Sequence, residues 1–377
     1  MLTGTTIQYP EQIYKLNTSN HETIILPAKY IDNVKGAPEH NFSLGMELYE
    51  RQLGRFTMIG TVGRAFAFVS SIRMDLNRNL SNTLPPLLDE VKYAVESSIG
   101  PCDTWTPTPV HHQALRMVAL LTGRVFVGPE LNRNEEWISS SIQTTVDTFS
   151  AAFNLWTYHW AVRPIIAFGS SQVRNIHTQQ KRTAELLRPV ITKRMRDMQS
   201  PDFKLPVDLM QFFLQNLPNH DVFYQSQLHS AVNVAAIHTT SMNVTQVLFD
   251  LATYPEHQDP LREEIKEVLA GCDGVLDKNA LTKMRKMDSF LRESQRLNPP
   301  GIVSMSRMVQ SDTVLPDGMI LPKGCLVACD SWSATRDPAL WKDPETFDGF
   351  RYEKLRNEGG NEGKYQVRTM HYNMLPY

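Results

Sequence analysis

Three neighbouring side chains near the middle of the chain could handle protons: His238, Thr239 and Thr240. They follow Ala235 and Ala236, whose short side chains leave room for a ligand. An imidazole relays protons near neutral pH, and a hydroxyl can hydrogen-bond a reacting group. Small residues followed by protic ones therefore indicate a helix surface suited to a flat ligand. The same pattern also fits a buried helix whose alanines permit close packing and whose threonines bond to their own backbone.

One long helix, from Gln227 to Tyr254, is predicted to position these residues. Neither proline nor glycine occurs between Pro218 and Pro255, so nothing in this interval forces a helix to end. A helix of this length spans roughly 42 Å. Apolar residues recur at helical spacing in its second half and predict a stripe that faces a core: Val244, Val247, Leu248 and Leu251.

A second candidate set is ionic. Glu293 and Arg296 lie three residues apart on a predicted helix that a double proline ends, so a carboxylate and a guanidinium can pair on one face. The same spacing at Glu130 and Arg133 predicts only a solvated pair of little energy. Further on, Arg351 supplies another charge. We expect Glu293, Arg296 and Arg351 to form one satisfied cluster, because a buried charge that lacks its partner is costly.

Composition limits the class of protein. The chain has 377 residues, of which 41% are hydrophobic and 21% charged, as in a globular protein with a large core. Its net charge of −2 gives no electrostatic footprint for a nucleic-acid partner. Four cysteines do not make a disulfide scaffold, and Cys325 and Cys329 are expected to be buried thiols. His111 and His112 have no third metal ligand at a recognisable spacing and are expected at the surface.

The order of the elements predicts a mainly α fold with small β-sheets, an α+β class. A helical pattern runs from Pro109 to Arg196, and the sequence predicts breaks within it at Gly128–Pro129, Pro164 and Pro189. Residues 302–309 change to the alternation of a strand. A hairpin around Asp317 is predicted to follow.

Four segments, in this order along the chain, resemble the haem-thiolate monooxygenases, the cytochromes P450. They are AAIHTT at 235–240, LRESQR at 291–296, SMSRMV at 304–309 and FDGFRY at 347–352. The resemblance covers nearly the whole chain and is closest to the fungal branch that acts on secondary metabolites. It implies a single cytochrome P450-like domain over residues 1–377.

The resemblance also implies a role for each candidate on the long helix. This helix would cross the distal face of a haem, with Ala235 and Ala236 as the dent over the iron. Thr239 matches the threonine that hydrogen-bonds dioxygen, and Thr240 is its neighbour in the expected catalytic group. His238 lies where many members carry an acidic residue, and an imidazole there can still relay a proton.

The remaining candidates belong, by resemblance, to the other face of the haem and to its rim. Glu293, Arg296 and Arg351 match the structural charge cluster of the family. Arg307 matches a residue that pairs with a haem propionate. The implied reaction hydroxylates or epoxidises a lipophilic fungal secondary metabolite such as a terpenoid or a polyketide. It needs haem, dioxygen and electrons from NADPH–cytochrome P450 reductase.

The two ends of the chain carry separate expectations. The family's iron ligand is a cysteine in a glycine-rich loop, and the sequence ends at Tyr377, about where that loop would begin. We therefore expect a chain truncated before the loop, with the axial cysteine absent and haem belonging to a complete member rather than to residues 1–377. The usual N-terminal membrane anchor is missing as well, which predicts a cytoplasmic or peripheral chain, whereas a full-length member belongs at the endoplasmic reticulum membrane. The alternative function is a non-catalytic remnant without haem-thiolate chemistry.

Overall fold

The computed structural model describes residues 11–17, 21–59, 69, 71–361 and 365. The chain divides into two compact units. Unit one comprises Met1–Glu47 and Asn243–Tyr377, and unit two comprises Leu48–Met242. Helices predominate and the sheets are small, which confirms the predicted fold class. The single domain over the whole chain stays a prediction.

Unit one contains a five-stranded sheet with the strand order β1-β2-β7-β4-β3 and a separate hairpin made of β5 and β6. The strands are β1 Tyr14–Asn17, β2 Glu22–Leu26, β3 Phe42–Ser43, β4 Val303–Val309, β5 Thr313–Val314, β6 Ile320–Leu321 and β7 Leu326–Asp330. Strands β2 and β7 are parallel, and the other neighbouring pairs are antiparallel. The strand and the hairpin predicted after the double proline are therefore confirmed. Strand β7 is buried along its whole length, since it lies in the middle of the sheet.

The helices of unit one lie before, between and after these strands along the chain. They are α1 Ile31–Lys35, α2 Leu44–Arg51, α11 Gln258–Ala270, α12 Lys278–Lys283, α13 Arg285–Leu297, α14 Ser331–Ala334 and α15 Arg351–Asn357, with short 3₁₀ turns at Ala28–Tyr30 and Pro255–His257. Helix α2 continues into unit two by its last residues. Helix α13 is ended by Asn298 and the prolines that follow it, as predicted.

Among its described residues, unit two has helices and connecting segments but no strand. Its helices are α3 Gly54–Thr57, α4 Leu80–Ser98, α5 Val110–Phe126, α6 Glu135–Trp156, α7 Arg163–Gly169, α8 Ser171–Asp197, α9 Leu209–Asn216 and α10 Val222–Thr253, with a π-helical turn at Ser71–Leu76. The last part of α10, from Asn243 on, belongs to unit one. Polar side chains cap several helix starts: the Asn134 amide oxygen accepts from the backbone amides of Glu136 and Trp137. The predicted break at Pro189 is wrong, because α8 runs through it. Buried Leu187 and Ile191 hold both sides of this proline in the core, and their packing offsets the lost backbone hydrogen bond.

Helix α10 is the predicted long helix, and it begins at Val222 and ends at Thr253. The predicted apolar stripe in its second half is wrong: Val244 and Leu248 are 36% and 42% exposed. The buried residues of this half include Ser241, Thr245 and Asp250 instead.

Hydrogen bonds explain why polar residues can be buried there. The Asp250 carboxylate accepts from Gln246 at 2.9 Å, from the Ser294 hydroxyl at 2.6 Å and from the Asn298 amide at 3.2 Å. Three hydrogen-bond donors offset part of the free-energy cost of removing this carboxylate from water. Across the described residues, no helix has both the length and the apolar character needed to cross a membrane.

Candidate active site

Ala235 and Thr239 form an exposed strip of small residues on α10. They are four residues apart and so lie on one face of the helix, and both are exposed. The Thr239 Oγ1 donates to the Ala235 carbonyl at 2.7 Å. Ala236 differs, since it is half-buried against the main apolar core of unit two. Of the two interpretations of the alanines, the exposed ligand-facing surface therefore fits Ala235 and close packing fits Ala236.

His238 lies on another side of α10. Its Nε2 is 3.5 Å from the Ile142 carbonyl of α6, and the imidazole is half-buried. Burial lowers the pKa of His238, the Ile142 carbonyl raises it, and the charge of His111 adds to the lowering. The imidazole is consequently neutral at neutral pH. Thr240, the last of the three protic residues, is exposed.

The structure brings Glu293, Arg296 and Arg351 together in unit one. Arg296 Nε and Nη2 donate to the two Glu293 carboxylate oxygens at 2.8 and 2.9 Å. Arg351 Nε donates to Glu293 Oε1 at 3.1 Å, and the Asp348 backbone amide donates to the same atom at 2.9 Å. Glu293 and Arg296 have fully buried side chains, whereas that of Arg351 is 11% exposed.

Backbone carbonyls complete this cluster, and they were not predictable from the sequence. Arg296 Nη1 donates to the carbonyls of Thr335, at 2.7 Å, and of Pro344. Arg351 Nη2 donates to the Thr346 carbonyl at 2.8 Å. Every residue type carries a carbonyl, so no side-chain pattern could reveal these partners. The cluster ties the segment between α14 and α15 to α13, which is a structural task.

A β-bulge in β4 sets the direction of the Arg307 side chain. Ser304 is opposite Cys329 and Arg307 is opposite Val327, so β4 has one residue more than β7 in this interval. Met305 within the bulge has a φ of 54°, in the left-handed region that side chains other than glycine seldom adopt. Bulges turn a side chain away from the direction that regular alternation would give it. The position of the Arg307 guanidinium therefore depends on this irregularity.

The surroundings of Arg307 fit an anionic group. Its side chain is half-buried, and burial lowers the pKa of the guanidinium, while the carboxylates of Glu39 and Glu47 raise it. Among the described residues, its only hydrogen bond runs from Nη1 to the neighbouring Ser306 carbonyl at 2.8 Å. A guanidinium has five donors in a planar fork that suits a carboxylate. The donor set that remains can thus hold a carboxylate such as a haem propionate.

Cys329 in β7 and Cys325, which immediately precedes β7, are thiols rather than thiolates. Cys329 is buried, and burial raises its pKa to about 12. Cys325 is half-buried, and burial raises its pKa too. The expected burial is therefore confirmed for Cys329 and is partial for Cys325. The expectation about the axial cysteine concerns the C-terminal end of the chain, where residues 366–377 lie outside the described residues.

Comparisons with known proteins identify the family of this chain. The cytochrome P450 family model matches residues 107–370. The cytochrome P450 monooxygenase BOA4 of Botryotinia fuckeliana is 37% identical over 364 residues, which cover 96% of this chain and 73% of that protein. The monooxygenase prx8 of Penicillium rubens is 34% identical over 378 residues, covering 98% of this chain and 69% of that protein.

A solved structure shares the fold. The cyanobacterial CYP120A1 with bound retinoic acid superposes with a TM-score of 0.68 at 17% identity, over 99% of this chain and 79% of that one. The chain belongs to the cytochrome P450 family, whose members are haem-dependent monooxygenases. The resemblance predicted from the four sequence segments, including its fungal character, is confirmed.

Proposed function

We propose that this protein inserts one oxygen atom into a lipophilic fungal secondary metabolite, such as a terpenoid or a polyketide, by hydroxylation or epoxidation. The observation that carries this proposal is the 37% identity to a fungal monooxygenase across 96% of the chain. The exposed strip of Ala235 and Thr239 supports it, because a flat group can lie against short side chains beside a hydroxyl.

Haem, when bound, supplies the iron that activates dioxygen with electrons passed on from NADPH. In the proposal, Arg307 binds a propionate through the guanidinium donors that lie away from Ser306. By their match to the family motif, Ala235 and Ala236 would border the haem, and of the two only Ala235 has an exposed side chain. Each of these roles follows from the chemistry of the side chain concerned and from its match to the family motif.

In the proposal, helix α10 carries the residues that transfer protons. Thr239 holds a proton at Oγ1, which in the structure points to the Ala235 carbonyl. His238 acts as a neutral imidazole, because burial lowers its pKa. If Nε2 donates to the Ile142 carbonyl, Nδ1 is the unprotonated nitrogen and can accept a proton. Thr240 adds an exposed hydroxyl to this group.

Glu293, Arg296 and Arg351 act as a scaffold rather than as reacting groups. Their charged groups are paired with one another and hydrogen-bonded to backbone carbonyls. An NADPH–cytochrome P450 reductase is the proposed electron donor, which places the reaction at the endoplasmic reticulum membrane where that reductase would meet it. The substrate is a small lipophilic molecule.

The proposal is tested by producing the protein in a yeast host together with the reductase and feeding terpenoids and polyketides. We expect at least one product heavier by one oxygen atom that is labelled by ¹⁸O₂ and not by H₂¹⁸O. A host with the reductase alone is the control. Label from water, or the same product in the control host, would contradict a monooxygenase.

A further inference from the structure

An exposed segment joins α4 to α5 in unit two. Every residue from Pro101 to Pro109 is exposed, and none belongs to a helix or a strand. Trp105 has its whole side chain in solvent, with a relative exposure of 104%. The segment from Ile99 to Pro109 can reach at most roughly 36 Å when fully extended. It is therefore accessible to another protein without any opening of the core.

Within this segment, Thr106 and Thr108 each precede a proline. The Thr106 hydroxyl donates to the Thr104 carbonyl at 3.0 Å, and the Thr108 hydroxyl donates to the Thr106 carbonyl at 3.1 Å. Both threonines are exposed, and each of these bonds stays within the segment. Proline has no backbone N–H and favours an extended conformation in the residue before it. An enzyme whose cleft takes an extended peptide with proline after the target residue can accept this segment.

We propose that Thr106 and Thr108 form a phosphorylation site for a proline-directed protein kinase. The threonine oxygen attacks the γ-phosphorus of ATP and forms an O–P bond, while the bond from the γ-phosphorus to the bridging oxygen breaks and ADP leaves. The hydroxyl proton passes to the general base of the kinase. This site stands apart from the proposed monooxygenase function, because none of its residues belongs to the candidate active site.

Phosphorylation of Thr108 has a structural consequence for α5. Thr108 immediately precedes Pro109, the N-cap residue, which has no side chain that could accept from the first backbone amides. The first turn carries no acidic residue, and the whole helix contains arginines but neither aspartate nor glutamate. A phosphate adds about −1.5 to −2 charges close to this positive end, where negative charge is stabilising.

Ser200 provides an internal comparison, since it also precedes a proline and is exposed. Its backbone is folded into a turn: its amide donates to the Asp197 carbonyl at 3.0 Å, and its carbonyl accepts from the Phe203 amide at 3.2 Å. A kinase would have to break this turn to extend the peptide. We therefore expect much slower phosphorylation at Ser200 than at Thr106. The Thr108 carbonyl accepts from the Val110 amide at 2.9 Å, a tighter turn about Pro109, so Thr108 should be labelled more slowly than Thr106.

The test uses the purified folded chain, magnesium ATP and a purified proline-directed serine/threonine kinase, with phosphopeptides mapped by mass spectrometry. We expect phosphate on Thr106 and Thr108, and no more than the slow labelling of Ser200 in the double variant Thr106→Val/Thr108→Val. Thr104→Val is the matched control, since Thr104 lies in the same segment without a following proline and should not change the incorporation. Replacing Pro107 and Pro109 by alanine should lower the rate more than tenfold with both hydroxyls kept.

A second measurement follows the consequence for α5. Hydrogen exchange of the amides in its first turn should slow by roughly two- to five-fold once Thr108 is phosphorylated. No incorporation into the folded chain, equal labelling of Thr104, or unchanged incorporation after removal of the two prolines would overturn the assignment. Unchanged hydrogen exchange in the Thr108-phosphorylated protein would overturn its capping role.

Discussion

Glu293 and Arg296 form a two-point ion pair in which neither side chain has any exposed surface. Arg351 and the backbone amide of Asp348 also donate to the Glu293 carboxylate, and so they add to the compensation of its charge. Removal of one member leaves the others charged in a medium that solvates them poorly. The stability of unit one therefore depends on the carboxylate more than on any single hydrogen bond it accepts.

The first prediction concerns that carboxylate. Glu293→Gln keeps the shape of the side chain and removes its charge, so Arg296 and Arg351 lose their counterion. We expect the free energy of unfolding to fall by about 3–5 kcal/mol, measured by urea denaturation. Glu263→Gln on the exposed side of α11 is the matched control and should change it by less than about 0.5 kcal/mol. Equal effects of the two substitutions would contradict a buried cluster.

Removal of the Arg307 charge should affect stability much less than removal of the Glu293 charge. Burial without a carboxylate partner among the described residues makes its charge costly to keep in the fold. Arg307→Met should therefore change the free energy of unfolding by less than about 1 kcal/mol, while haem affinity, measured by titration of the apoprotein, falls about tenfold or more. Arg262→Met, at an exposed position, is the control. A large loss of stability with unchanged haem affinity would show that Arg307 is structural.

A third prediction concerns acid stability. His229 is fully buried on α10, and neither ring nitrogen has a hydrogen-bond partner among the described residues. Burial, with the charge of Arg194 as a smaller cause, lowers its pKa from 6.5 to about 3. The unfolded chain then binds more protons than the folded one below pH 6.5, so stability is lost as the pH falls from 6.5 towards 3.

The size of this loss is on the order of 4 kcal/mol across the interval, since one pKa unit corresponds to about 1.4 kcal/mol. His229→Leu should flatten the dependence of the free energy of unfolding on pH and raise stability at neutral pH by about 1 kcal/mol, because two unsatisfied polar atoms leave the core. The exposed residue His112 gives the control His112→Gln. An unchanged pH dependence in His229→Leu would mean that other groups cause acid unfolding.

Long helices and alternating strands were predictable because their signals are local. The absence of proline and glycine predicts α10 to within a few residues of its actual ends. The buried polar residues of its second half were not predictable, since the Asp250 carboxylate is satisfied by Ser294 and Asn298, which lie far along the chain. A pattern read from one helix cannot show a partner on another.

The same limit applies to charges and to irregular strands. Glu130 and Arg133 have the spacing of a pair, yet Glu130 pairs with buried Arg194 at 3.1 Å and Arg133 with Glu90 at 3.0 Å. Alternation predicts β4 but not the extra residue at Met305, which decides where Arg307 lies. The residue types of the candidate site were thus visible in the sequence, whereas their directions depend on tertiary contacts.

The last prediction concerns Thr239. Its hydroxyl donates to the carbonyl four residues earlier, and Thr253 makes the same bond to Phe249 on the same helix, at 2.8 Å, with its side chain also exposed. Loss of either bond should have a similar and small effect on stability. Only Thr239 lies on the strip of small residues beside Ala235. If its hydroxyl delivers protons, Thr239→Ala and Thr253→Ala will differ in function but not in folding.

In the active enzyme with its reductase, Thr239→Ala should lower the ratio of oxygenated product to NADPH consumed severalfold and raise hydrogen peroxide release in proportion. Thr239→Ser keeps a hydroxyl and should retain most of the coupling, whereas Thr253→Ala should match the native protein. Haem content and thermal unfolding are measured beside the product and peroxide yields. Native coupling in Thr239→Ala would remove Thr239 from the proton path and leave its hydroxyl with the purely local role that the Thr253 hydroxyl has.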